Sequence, residues 1–193
     1  EKRVGNTSLV AYIGDVPNDN SIWIKRECDN PFGSHYDRVY LELFRHLEES
    51  CRLRQGAKVL ETTTGAAGVS FAGIGKLLGY ECFVALPAGG ETAREDAIKE
   101  QLPSPDNVIF TPADQYVSGF PNFVRRFLAE HKDFVFLNHS MGPIDRSNGG
   151  FTNNEITLRA LEKIARESLG IIRVDCFIPA VGNGSSVLGP GRV

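Results

Sequence analysis

Apolar positions recur along this chain with two periods. Val39, Tyr40, Leu43, Phe44 and Leu47 stand three and four residues apart, the spacing of one helical face. Short apolar or β-branched runs at 58–62, 81–86, 107–111, 133–137 and 173–181 are bounded by Gly, Pro, Asn or charged residues and read as strands. Between them lie helical patterns: a small-residue helix up to about Leu78, a charged helix over 91–102, a helix over 117–131 that Pro121 splits or restarts, and an amphipathic helix over 153–169. Residues 5–10 read as a turn and a short strand, and 21–27 as a further strand. Strands alternating with helices predict an α/β fold, a doubly wound and mainly parallel sheet. No repeat and no low-complexity segment interrupts the pattern.

The turn at 30–33 ends the strand over 21–27 and starts the first helix. Ser34 is the expected N-cap, and Asp37 three residues on completes a capping-box spacing that suits the positive end of the helix. Arg52 to Gln55 and Gly56 close that helix in this reading. The helix after residue 65 carries Gly68, Ser70, Ala72, Gly73 and Gly75. Glycine inside a helix costs about 1 kcal/mol against alanine, so these residues predict close backbone packing or a ligand at the helix start.

Composition narrows the function classes. With 21 Lys and Arg against 24 Asp and Glu in 193 residues, the net charge is −3 and the basic residues are dispersed, which argues against a nucleic-acid face. The longest apolar run is far short of a membrane span, and a cytoplasmic setting is expected. Cys28, Cys51, Cys82 and Cys176 lie far apart without a Cys-x-x-Cys, and Cys82 and Cys176 sit in apolar runs, so buried reduced thiols are expected. His35, His46, His131 and His139 show no metal-ligand spacing, and no metal site is predicted.

Candidate chemistry falls on three loops at strand ends, each running into a helix N-terminus with unpaired backbone N–H groups. At 182–186, Gly182, Asn183, Gly184, Ser185 and Ser186 read either as a phosphate cradle or as a plain strand-to-helix turn. At 63–67, Thr63, Thr64, Gly65, Ala66 and Ala67 form a small-residue turn that holds a carboxylate or only packs. The loop over 138–153 is rich in Gly, Ser and Asn and reads as a hinge or lid.

The third loop, Asn-Pro-Phe-Gly-Ser-His-Tyr-Asp-Arg at 30–38, resembles the Asn-Pro-x-Gly-Ser-x-Lys-Asp-Arg signature of fold type II pyridoxal-phosphate enzymes, the group of cysteine synthase and cystathionine beta-synthase. Other stretches are similar to that group in the same order: Gly-Asn-Thr-Ser-Leu at 5–9, the 63–67 loop, Gly-Tyr-Glu-Cys-Phe-Val-Ala-Leu-Pro at 79–87 with Glu-Thr-Ala-Arg at 91–94, and the 182–186 loop. The resemblance implies a tryptophan synthase beta-like fold whose C-terminal part is missing here. It implies residues 1–40 as the N-terminal part of a large domain, 41–145 as a small α/β domain and 146–193 as the start of the larger domain.

It also implies a site. Tyr36 stands where the family carries the lysine that holds the cofactor as an imine. Gly182, Asn183, Gly184, Ser185 and Ser186 stand at the cofactor's phosphate, Ala66 at an asparagine that meets the cofactor ring, and Thr63, Thr64, Gly65 and Ala67 at the substrate carboxylate. A phenol forms no imine, and Ala66 offers no hydrogen bond. The expectation is a degenerate homologue in which pyridoxal phosphate is absent or non-covalent, acting as a binding or regulatory protein. Two alternatives stay open: an active enzyme of the cysteine synthase type, with Lys25 as the nearest replacement amine or His35 as a base, and a binder of another phosphorylated ligand. An amino-acid or phosphorylated ligand and a homodimer are the expected partners.

Overall fold

The computed structural model describes residues 3–142 and 153–193. Its centre is a four-stranded sheet in the order β5-β4-β3-β6, parallel throughout: β3 (Lys58–Thr62), β4 (Glu81–Pro87), β5 (Val108–Thr111) and β6 (Phe134–Phe136). Lys58 pairs in register with Glu81 on one side and with Phe134 on the other. A separate antiparallel ribbon joins β1 (Leu9–Ala11) to β2 (Trp23–Lys25). The α/β class and the parallel sheet are as the alternation predicts.

Helices cover both faces of the sheet. Successive side chains of a strand point to opposite faces, and Cys82 and Phe83 show the two sides. Cys82 lies against α2 (Ala66–Leu78), and Phe83 meets Phe134, whose ring is also met edge-on by Phe127 of α4 (Phe120–Glu130). The main core lies on the α2 side, where α1 (Tyr36–Glu49) packs on α2 and on α5 (Asn154–Leu169). Tyr40, Phe44, Phe71, Leu43 and Leu47 are fully buried there. The glycines of α2 serve packing: a Cβ on Gly73 would lie 2.2 Å from the Phe32 ring, and one on Gly75 2.1 Å from Cys82 Sγ. On the other flank of α2 lies α3 (Thr92–Lys99), which buries Ile98.

Several boundaries differ from expectation. α1 begins at Tyr36 rather than Ser34; the Ser34 hydroxyl accepts from Tyr36 N–H at 3.1 Å. Asp37 does not close a capping box on Ser34, because its carboxylate accepts from Phe32 N–H at 2.7 Å, bracing the turn instead. α1 ends at Glu49, before residues 52–56, where Cys51 adopts a left-handed φ of 57°. Pro121 restarts a helix, sitting in the first turn of α4 after a 3-10 stretch over Ala113–Gly119.

Residues 173–181 form no strand. Strand propensity is realised only against a neighbour that completes the ladder, and no described strand lies beside this run. Ile178 is 88% exposed, and Cys176 is exposed with Cys28 and Cys51, so Cys82 alone of the four thiols is buried. The loop over 182–186 runs into α6 (Ser185–Leu188), a single turn set against α5. The expected domain boundary at 145–146 lies outside the described residues, as does most of the expected lid over 138–153. No described helix is long and apolar enough to cross a membrane.

Candidate functional site

The turn at 30–33 is held by its own polar groups. Asn30 Oδ1 accepts from Gly5 N–H at 2.9 Å, and its amide donates to Glu27 Oε2 at 2.9 Å. Glycine at 33 is required by a φ of 76°, which other residues adopt only under strain. Beyond the turn, Asp37 and the Ser70 hydroxyl are fully buried. Burial pushes the Asp37 carboxyl up, partly offset by the nearby Ser70 hydroxyl and the Phe32 N–H.

Arg38 is the centre of a large ion-pair network. Its guanidinium, almost wholly buried, donates to Glu27 at 2.7 and 2.9 Å and to Glu167 at 2.6 and 2.8 Å. Lys25 Nζ completes the cluster on Glu167 Oε2 at 2.7 Å and on the Thr7 carbonyl at 2.5 Å. One guanidinium thereby ties the N-terminal segment, α1 and α5 together. Burial acts to raise the Glu167 pKa, but the bonds from Arg38, Lys25 and Asn6 N–H outweigh it and bring it down to about 2.

Tyr36 begins α1 and faces a different set. Its ring lies 4.3 Å from His35, 5.5 Å edge-on from His139 and 6.4 Å from Tyr40. Behind it, Tyr40 OH and His139 Nδ1 are hydrogen-bonded at 3.0 Å, and the same nitrogen lies 3.2 Å from Glu61 Oε2. Glu61 also accepts from Thr62 N–H at 2.8 Å and His139 N–H at 3.2 Å, while the Thr157 hydroxyl donates to the His139 carbonyl at 2.7 Å. Burial, and then the Glu61 charge, push both tyrosine phenols up. Burial lowers the half-buried His35. This Tyr36–Tyr40–Glu61–His139 cluster is not among the candidates that the sequence offers. Besides Tyr36 itself, its signal in the sequence is Glu61, an acid inside the apolar run at 58–62.

The loop over 63–67 lies at the carboxyl end of β3, next to Glu61. The Thr63 hydroxyl accepts from Gly65 N–H at 3.0 Å and so stabilises its own turn. Gly65 caps α2 without a side-chain bond, which leaves the first N–H groups of that helix open. Thr64 and Ala66 are exposed, and Ala67 is buried. In the loop at 182–186, Ser185 N–H donates to Asn183 Oδ1 at 3.0 Å, and the Ser186 hydroxyl donates to the preceding Ala180 carbonyl at 2.6 Å. Thus α1 and α2 bring residues 30–37 and 63–68 side by side. Residues 182–186 are built on α5, and among the described residues no hydrogen bond or ion pair joins them to the other two loops.

Known proteins share this architecture. The structure superposes on cysteine synthase from Entamoeba histolytica with a TM-score of 0.82 at 23% identity, covering 99% of this chain and 54% of that one. An O-ureido-L-serine synthase gives 0.84 at 20% identity, covering 99% and 57%. In sequence, the chain is 29% identical to cysteine synthase of Aquifex aeolicus (strain VF5) over 196 residues, 99% of this chain and 56% of that protein. It is 32% identical to cysteine synthase B of Escherichia coli (strain K12) over 100 residues, 51% of this chain and 33% of that protein. The chain spans little more than half the length of the relatives that match it throughout. The profile of the family described as Pyridoxal-phosphate dependent enzyme matches residues 1–193, and the chain belongs to that family, with the fold of its cysteine synthase-like members.

Proposed function

We propose that this chain is a cysteine synthase-like homologue that does not hold pyridoxal phosphate as an imine and works as a binding or regulatory protein. The observation that carries the reading is the phenol at position 36, where the resemblance puts the family's lysine, set among His35, Tyr40 and His139. Imine formation needs a primary amine. Lys25, the nearest in sequence, is held by Glu167 and the Thr7 carbonyl. Lys58, Lys99 and Lys163 are each paired with a carboxylate, Asp133, Glu95 and Glu42 in turn. The remaining contacts fit the cofactor no better. Ala66 has no polar side-chain atom, and the hydroxyl of Ser186 and the N–H of Ser185 are already bonded, to Ala180 and Asn183 in turn. Positions 36 and 66 of this chain therefore do not match a covalently held pyridoxal phosphate and support no catalytic step through it.

The test is spectroscopic. The purified chain mixed with pyridoxal phosphate is expected to show no imine band at about 410–430 nm. Such a band, lost on borohydride reduction with a labelled lysine in the peptide map, overturns the reading. The names of the relatives favour a second reading, a pyridoxal-phosphate dependent lyase or transferase acting by β-replacement or elimination on a serine-derived amino acid. Turnover of such a substrate with added cofactor decides for it. A third reading is a site for another phosphorylated ligand at 182–186, where Ser185 N–H and the Ser186 hydroxyl would have to leave Asn183 and Ala180 to reach it. The proposal carries a homodimer and a cytoplasmic setting, checked by sedimentation of the purified chain and by cell fractionation.

A further inference from the structure

The antiparallel ribbon of β1 and β2 is apolar and thinly covered. Val10 lies opposite Ile24 and Ala11 opposite Trp23, and just past β1 the Tyr12 N–H donates to the Ile22 carbonyl at 2.9 Å. Side chains alternate between the two faces of a strand, and here both faces carry exposed apolar groups. Tyr12, Ile22 and Ile24 are exposed on one face, and Trp23 and Ile13 on the other, with Ile13 99% exposed. Two strands alone are marginal in water, and three or more with an apolar face are needed. Among the described residues no third strand joins the ribbon.

The open edge belongs to β1. Hydrogen bonds of an antiparallel pair alternate along each strand. Ser8 and Tyr12 bond across to β2, which turns the backbone groups of Leu9, Ala11 and Ile13 outward. An open edge is usually guarded by a charge, a proline or a bulge, but residues 9–14 hold neither a charged residue nor a proline. The outer edge of β2 runs instead into Lys25, whose Nζ is tied to Glu167 and the Thr7 carbonyl. The β1 edge is also matched to itself. Turned about a two-fold axis at Ala11, Leu9 meets Ile13 of a second copy and Val10 meets Tyr12, apolar against apolar, with the smallest side chain of the run on the axis. No like charges meet, and the two ribbons together supply the strands that one lacks.

We propose that β1 pairs edge to edge with β1 of a second copy of this chain, antiparallel about Ala11, into one four-stranded sheet. This contact deepens the homodimer carried by the proposed function and rests on it.

Sedimentation equilibrium of the whole chain tests it, with circular dichroism as the check on folding. Ala11 is exposed, so Ala11→Lys and Ala11→Glu are expected to keep the fold. Each alone sets like charges face to face on the axis and is expected to weaken the dimer roughly tenfold or more. An equimolar mixture of the two sets Lys against Glu and is expected to recover it. A wild-type dimer that neither substitution weakens overturns this contact and leaves a homodimer through another face. A mixture that stays as dissociated as its components overturns it too. A wild-type chain that stays monomeric overturns the contact and the homodimer together, and none of these results bears on the imine test at position 36.

Discussion

Replacing Glu167 by Gln tests whether the buried charge cluster fastens the N-terminal segment to α5. The substitution keeps shape and removes charge from the residue that receives both Arg38 and Lys25. A carboxyl held at about 2 instead of the ordinary 4.5 corresponds to about 3.4 kcal/mol of stability at neutral pH. The Glu167 side chain is 21% exposed, and solvent screening brings the figure to about 2 kcal/mol. The folded pKa is depressed, so this stability is present above the unfolded pKa of 4.5 and is lost as pH falls through about 2. Urea unfolding followed by circular dichroism at two pH values reads both the size and the sign. With a slope of about 2 kcal/mol per molar urea, Glu167→Gln should lower the midpoint by about 1 M at pH 7. At pH 3, where part of the wild-type advantage has gone, the difference should be about half as large. An equal drop at both pH values, or none at pH 7, refutes the electrostatic reading of the cluster.

Packing and thiol chemistry give two further expectations. Gly75→Ala should destabilise by about 2 kcal/mol through overpacking, because its Cβ would meet Cys82 Sγ at 2.1 Å; thermal unfolding of Gly75→Ala with Cys82→Ala should recover part of that loss, and no recovery would point elsewhere for the clash. Native-state alkylation followed by peptide mapping should label Cys28, Cys51 and Cys176 and spare Cys82, whose thiol burial pushes up to about 12.

The alternation of apolar runs sufficed for the fold class because each run at 58–62, 81–86, 107–111 and 133–137 finds a partner inside the chain. The run at 173–181 carries the same pattern and finds none among the described strands, so the pattern misled. Cys176 follows it to the surface. Helix ends shifted for local reasons: Asp37 braces Phe32 N–H rather than Ser34, and α1 starts two residues late.

For the site, residue identity alone determines which atoms are available for chemistry. A phenol at 36 and a methyl group at 66 lack the atoms for an imine and for a ring contact, whatever surrounds them. Residue type also fixes the positive charge of Lys25 and Arg38, and buried cations require counter-charges. What it did not carry is which carboxylates those are. Glu27 and Glu167 reach Arg38 from positions 11 and 129 residues away, and Glu61 reaches His139 across 78. Such pairs are set by how α1, β3 and α5 stack, and no local spacing encodes them. The left-handed φ of 44° at Tyr116 and the direction of the donors at 182–186 belong to the same class, backbone geometry and hydrogen-bond choice that only the packed chain decides.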